Sequence, residues 1–133
     1  MPRVDKYRGK EKAELAGISM KDALPLLTSR ARRNLVRAMT KTAKIKQLYK
    51  KAAHVKATNP AKVIKTQIRE AVILPEWLDL IFSVHDGKTF RNVHITVDKL
   101  GYRLGDFAHT TSRVLHSGPG VGATRGSKFI PLK

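Results

Sequence analysis

The side chains of this sequence that could do chemistry are mostly cations. Arg30, Arg32, Arg33 and Arg37 crowd one short stretch, and Lys41, Lys44, Lys46, Lys50 and Lys51 continue it. Groups of this kind at this density do not activate a bond. They neutralise phosphates, and a guanidinium does so as a planar fork of donors. Lys65, Arg69, Lys88, Arg91 and Arg103 recur singly further along, followed by Arg113 and then by Arg125, Lys128 and Lys133 in the last segment. The four clustered arginines and these later cations are candidate nucleic-acid contacts.

Other chemistry finds little to build on. The histidines at 85, 94, 109 and 116 are scattered, with no His-Glu-x-x-His spacing and no cysteine partner, so no metal site is expected. Asp86 and Asp106 have turn and helix-end roles that need no catalysis. The glycine-rich close of the chain fails the phosphate-loop pattern: five residues on from Gly118, Gly120 and Gly122 stand Ala123, Arg125 and Ser127. The sequence therefore predicts no catalytic residue, no cofactor and no enzyme.

Charge points the same way. The chain carries 27 Lys and Arg against 10 Asp and Glu, a formal net charge of +17. Self-repulsion on that scale calls for an anionic partner. Residues 1–70 hold 19 of the basic and 5 of the acidic side chains, and residues 71–133 hold 8 and 5. The predicted organisation is a basic arm and helical extension over 1–63, a folded core over 64–113, and a Gly-rich basic tail over 114–133. Nucleic acid and an anionic membrane surface are the two polyanions to consider. No run of about 18 apolar residues exists to span a bilayer, and Met1–Lys6 lacks the apolar block of a signal peptide. There is no cysteine, hence no disulfide framework. An intracellular, cytoplasmic protein is expected.

The elements that must position these cations can be read in outline. Residues 1–17 read as an arm with Tyr7 and Leu15 as isolated anchors. Ser19-Met20-Lys21-Asp22 has the Ser-x-x-acid form of a helix start, and Pro25 should limit that helix. Ser29 can cap a longer basic helix. Its apolar stripe through Leu35, Val36, Met39 and Ala43 continues with a phase shift through Ile45, Leu48, Tyr49 and Ala52, and Thr58-Asn59-Pro60 ends it. Residues 71–74 read as a short buried strand stopped by Pro75. Leu80, Phe82 and Val84 alternate toward Asp86-Gly87, a hairpin signal of type I′ form. Phe90 differs in phase from Val93 and Ile95, which predicts a bulge near Arg91-Asn92, and His85 and His94 are expected to face each other across the hairpin. Thr96 should cap a short helix ended by Gly101. Phe107 is expected to close the apolar face of Phe82, Val84, Val93, Ile95 and Leu104. Trp77 and Tyr102 are both able to stack on a base, although Trp77, beside an apolar strand, reads first as core or protein interface. The fold class is α+β: a small antiparallel sheet of about three strands with short helices, plus the basic helical extension and a flexible tail.

At Asp86-Gly87-Lys88, Ile95, Leu100-Gly101, Leu104-Gly105-Asp106-Phe107 and Thr110, the spacing resembles that of the universal protein nineteen family of the small ribosomal subunit. Ile73-Leu74-Pro75-Glu76 and Val84-His85 fit the two elements before it. The segment from Gly118 to Lys133 is similar to the archaeal and eukaryotic branch. The likeness covers residues 64–133 closely and 19–35 loosely. Departures sit in one loop, where the family usually has Pro at 109 and basic residues at 111 and 112 but this chain has His109, Thr111 and Ser112. Tyr102 stands where His is common. These departures bear on phosphate contacts in the loop, not on the fold.

The resemblance implies a non-enzymatic ribosomal protein. It would bind the 3′ major domain of small-subunit rRNA in the head, with Thr110 joining the basic residues as a contact. It would pair with universal small-subunit protein thirteen and send its tail toward the A-site tRNA region. An alternative from another class is a nucleic-acid chaperone or regulator using the same fold off the ribosome.

Overall fold

A computed structural model describes residues 6–111. The expectations for the tail, and for Arg113, Arg125, Lys128 and Lys133, lie outside the described residues. The elements run β1 (Lys6–Tyr7), β2 (Lys10–Glu11), α1 (Lys12–Ala16), α2 (Met20–Ala23), α3 (Ser29–Lys41), α4 (Ala43–Thr58), β3 (Ile64–Thr66), β4 (Ile81–His85) and β5 (Phe90–His94), with four short 3₁₀ turns between and after them. The class is α+β, as expected.

Residues 6–17 do not behave as an arm. β1 and β2 form a hairpin through Arg8 (φ 53°) and Gly9 (φ 81°), the pair of positive φ values that a type I′ turn needs. Leu15 is fully buried, Lys12 Nζ lies 2.7 Å from Asp79 Oδ1, and the Tyr7 hydroxyl donates to the Leu26 carbonyl. Ser19 caps α2 by accepting from the Asp22 amide, and Pro25 turns the chain after α2 into a 3₁₀ turn over Leu24–Leu26.

The phase shift in the basic helix is a break. Thr42 takes extended angles (φ −114°, ψ 100°) and separates α3 from α4. α3 buries Ala31, Leu35 and Ala38, so its stripe is rotated from the expected one and Val36 is exposed. α4 buries Ile45, Leu48, Tyr49, Ala52 and Val55. Both helices join the hydrophobic cluster that contains the sheet. At its centre Trp77 lies between Tyr49 and Phe82, with ring centroids 4.7 Å away on each side. The buried Tyr49 hydroxyl donates to the Val72 carbonyl at 2.7 Å, and burial raises its pKa well above the usual phenol range.

The three-stranded sheet has the order β3-β4-β5. β4 and β5 pair antiparallel as expected, but β3 runs parallel to β4, with Ile64 opposite Phe82 and Thr66 opposite Val84. A parallel neighbour needs a crossover rather than a hairpin, and residues 67–80 supply it. Residues 71–74 lie in that crossover. They are buried and form no strand of the sheet; Val72 and Arg103 make an isolated bridge instead. The β4–β5 register is unbroken from Ile81↔His94 to His85↔Phe90. No bulge is needed, because Phe90 faces solvent rather than the core. His85 therefore opposes Phe90, not His94. The hairpin turn has positive φ at Gly87 alone (108°), so it is not type I′. Leu104, not Phe107, closes the core: Leu104 is fully buried, whereas Phe107 is half-buried and lies edge-on to Tyr102.

Candidate nucleic-acid interface

Four of the cations on α3 fall on one face because their spacing follows the helix. Arg30, Arg33, Arg37 and Lys41 recur at steps of three and four residues, which places them in adjacent turns. Ala31, Leu35 and Ala38 hold the flank of the helix next to this row in the core, and Ala38 borders the cleft beside the row. The cationic row is thus presented by burial of the face beside it.

Arg103 completes the site from far along the chain. The segment 101–105 is latched to 69–73 by four backbone bonds: Ile73 N–H to Tyr102, Gly101 N–H to Ile73, Leu104 N–H to Ala71, and Gly105 N–H to Arg69. Gly101 sits at φ 80°, and a β-carbon there would lie 2.8 Å from the Tyr7 hydroxyl. Only glycine fits this corner without a shift. The latch sets Arg103 beside α3, in a cleft of about 630 Å³ lined by Arg30, Arg33, Arg37, Lys41, Arg103 and Glu70 among others. A second cleft of about 500 Å³ shares Arg30 and Arg103 and adds Arg8, Tyr7 and the exposed Tyr102. Among the described residues, none of Arg30, Arg33, Arg37, Lys41 or Arg103 is ion-paired with a carboxylate. Such an open set of cations, carried on a packed helix, can take phosphate oxygens, several at once.

Three other expected contacts are committed within the protein. Arg32 donates to the carbonyls of Leu24 and Leu27 at 3.0 and 3.3 Å, closing the turn before α3. Arg69 donates to His85 at 2.6 Å, to Gly105 at 2.8 Å and to Ala108. It ties the end of β4 to the latch. Arg91 Nε lies 2.9 Å from Asp86 Oδ2. Asp86 also accepts the amides of Thr89 (2.7 Å) and Lys88 (2.9 Å) and the Thr89 hydroxyl. The Thr89 and Lys88 amides, followed by Arg91, hold its carboxyl well below the usual carboxylate range. Asp106 likewise has a turn role, accepting from the Arg103 amide.

The remaining candidates are apart from the cleft. Lys88 is exposed at the hairpin tip, Thr110 is exposed beyond the last 3₁₀ turn, and Lys65 projects from β3. Lys41 and Arg8 line the clefts although neither is among the contacts expected from the sequence. Lys41 was recoverable from its step of four beyond Arg37, whereas Arg8 had no local signal. Among the described residues no group of His, Asp and Glu could hold a metal ion, and no helix is long and apolar enough to cross a membrane.

Comparison with known proteins agrees with this picture of a small, cation-rich α+β protein without a catalytic constellation. Residues 37–116 match the family model described as ribosomal protein S19. The chain is 40% identical over 128 residues to Small ribosomal subunit protein uS19 of Nitrosopumilus maritimus, covering 96% of this chain and 95% of that one. It is 39% identical over 127 residues to the protein of the same name from Picrophilus torridus, covering 96% and 80%. With that of Cenarchaeum symbiosum it shares 37% over 127 residues, covering 96% and 95%. The chain belongs to the ribosomal protein S19 family, whose members are structural proteins of the small ribosomal subunit and not enzymes. That membership carries with it a ribosomal, cytoplasmic location.

Proposed function

We propose that this protein binds small-subunit rRNA in the head of the subunit, within the 3′ major domain, through the cleft between α3 and Arg103. The observation that carries the reading is the cleft itself: Arg30, Arg33, Arg37, Lys41 and Arg103 converge there from two distant parts of the chain without carboxylate partners among the described residues. Affinity would come from counterion release, and register from the shape of the folded unit that fixes the cations. Lys65, Lys88 and Thr110 extend the contact around the sheet, and Arg113, Arg125, Lys128 and Lys133 extend it along the tail. In this reading universal small-subunit protein thirteen is the protein neighbour, and the tail supports the A-site tRNA region during translation.

Binding to isolated rRNA fragments should weaken steeply with salt, with a log–log slope of roughly −0.7 to −0.9 per phosphate contact. A nearly flat dependence would exclude the cleft as the source of affinity. Co-sedimentation on a sucrose gradient tests the setting. The protein should travel with intact small subunits. If it stayed in the light fractions while subunits sedimented without it, a chaperone or regulator acting off the ribosome would be the better reading.

A further inference from the structure

Of the two exposed aromatics among the described residues, Tyr102 lines the second cleft and Phe90 lies outside both clefts. Phe90 is 42% exposed, although a phenylalanine on a hairpin of this size would ordinarily be turned inward. Its position follows from register. Phe90 lies opposite His85 and Lys65 opposite Ser83, so the side chains of Lys65, His85 and Phe90 share one face of the three-stranded sheet. The other face carries Ile64, Phe82 and Val84 into the core. The ring is held: His85 packs against it at 4.9 Å and 72°, and His85 Nδ1 in turn accepts the Gly87 amide at 3.1 Å. The Lys65 ammonium stands 5.9 Å from the ring centroid.

The surroundings of this ring are cationic and amide-bearing. A groove of about 500 Å³ runs between the sheet and α4, lined by Lys44, Gln47, Lys51, Lys65, Gln67 and Phe90 with a few neighbours, and no carboxylate lines it. An aromatic face gives a base a stacking partner. The lysines can meet the phosphates on either side of it, and the glutamine amides can both donate to and accept from a base edge.

Resting on the RNA-binding reading above, we infer that this groove is a second RNA site, separate from the α3 cleft, that takes an unpaired base stacked on Phe90. Lys65 swings from the ring to an adjoining phosphate as the base arrives. The α3 cleft meets phosphates without regard to pairing, whereas the Phe90 groove requires a base that is out of its helix. The two sites would hold a helical and a single-stranded segment of one RNA at fixed separation.

The test uses the full-length protein with two probes, a single-stranded oligoadenylate and a blunt RNA duplex of equal charge. Phe90→Ala should weaken oligoadenylate binding roughly five- to hundred-fold. It should leave duplex binding and its salt slope unchanged, because the α3 cations that meet the duplex phosphates are still in place. Phe90→Trp should restore affinity and report binding by quenching of the new indole. Phe90→Leu keeps apolar packing against His85 but offers no ring, and it should behave as Phe90→Ala does, so a folding defect in the alanine variant would not decide the matter. Oligoadenylate binding at wild-type strength in Phe90→Ala or Phe90→Leu would overturn the inference, and so would an equal loss on both probes. If RNA is bound and Arg33→Ala weakens it while Phe90 variants do not, the groove is excluded and the α3 cleft stands. If no RNA is bound at all, both readings fall.

Discussion

Two sets of arginines in this molecule have the same side chain and opposite uses. Arg32, Arg69 and Arg91 spend their donors on the protein's own carbonyls and on Asp86. Arg30, Arg33, Arg37 and Arg103 line open clefts, with no carboxylate partner among the described residues. The first set stabilises the fold at the expense of surface charge available to a ligand. The second set costs stability through mutual repulsion, and its helix is held in place by burial of Ala31, Leu35 and Ala38 on the flank beside it. The lesson is that net charge does not measure binding surface. A guanidinium belongs to the ligand only where the fold leaves its donors unclaimed.

Arg69 offers the largest effect with which to break this division. Its guanidinium satisfies the carbonyls of His85, Gly105 and Ala108, which no other side chain reaches among the described residues. Arg69→Met keeps much of the stem but removes every donor, and should cost about 2–4 kcal/mol, read as a lowered denaturant midpoint. If instead the variant were as stable as wild type but bound RNA poorly, Arg69 would have to be moved into the second set. Arg32→Met is the milder version, since Arg32 is exposed and closes only two carbonyls. About 1 kcal/mol is expected.

Much of this fold was legible locally. The Ser19 cap, the arrest at Pro25, the end of α4 at Thr58 and the β4–β5 hairpin all depend on residues within a few positions of one another. So did the cationic face of α3, through its steps of three and four. The parallel pairing of β3, the latch between 69–73 and 101–105, and the placing of Arg103 beside Arg30 were not legible, because each is chosen by partners distant in the chain. The same distance hid the division of the arginines. Arg32 and Arg33 are neighbours in one basic run, and only the tertiary position of the Leu24 and Leu27 carbonyls separates their roles. Phe107 departs from its expected place for a related reason. It shares the apolar spacing of its segment, but Leu104 fills the core and the 3₁₀ turn leaves Phe107 at the edge.

The second set should respond in the opposite sense. Arg33→Ala and Arg37→Ala remove exposed side chains with no internal hydrogen bond to lose, so stability should change by no more than about 0.5 kcal/mol. The double variant should nevertheless reduce the salt slope of rRNA binding by roughly 0.7–0.9 for each phosphate that is no longer neutralised. An unchanged slope, measured by filter binding over a range of salt, would mean that these arginines face solvent and that the cleft is not the interface.

Asp86 sharpens the comparison from the side of the acid, with an effect that is full at neutral pH and is lost only in acid. Its carboxylate receives the Thr89 and Lys88 amides and Arg91, and its pKa is depressed by them. A depressed folded-state pKa means that the unfolded chain binds the proton more readily. The contribution is therefore fully present above the unfolded value, near pH 4, and is lost as pH falls through the folded one. Asp86→Asn lacks the charge and cannot show this loss. The difference in Tm between wild type and Asp86→Asn should be constant from neutral pH down to about pH 5 and should shrink progressively below about pH 4. A difference that stayed constant into strong acid would show that the hairpin is held by the neutral hydrogen bonds alone, and Arg91 would then be a cation available to RNA rather than one claimed by Asp86.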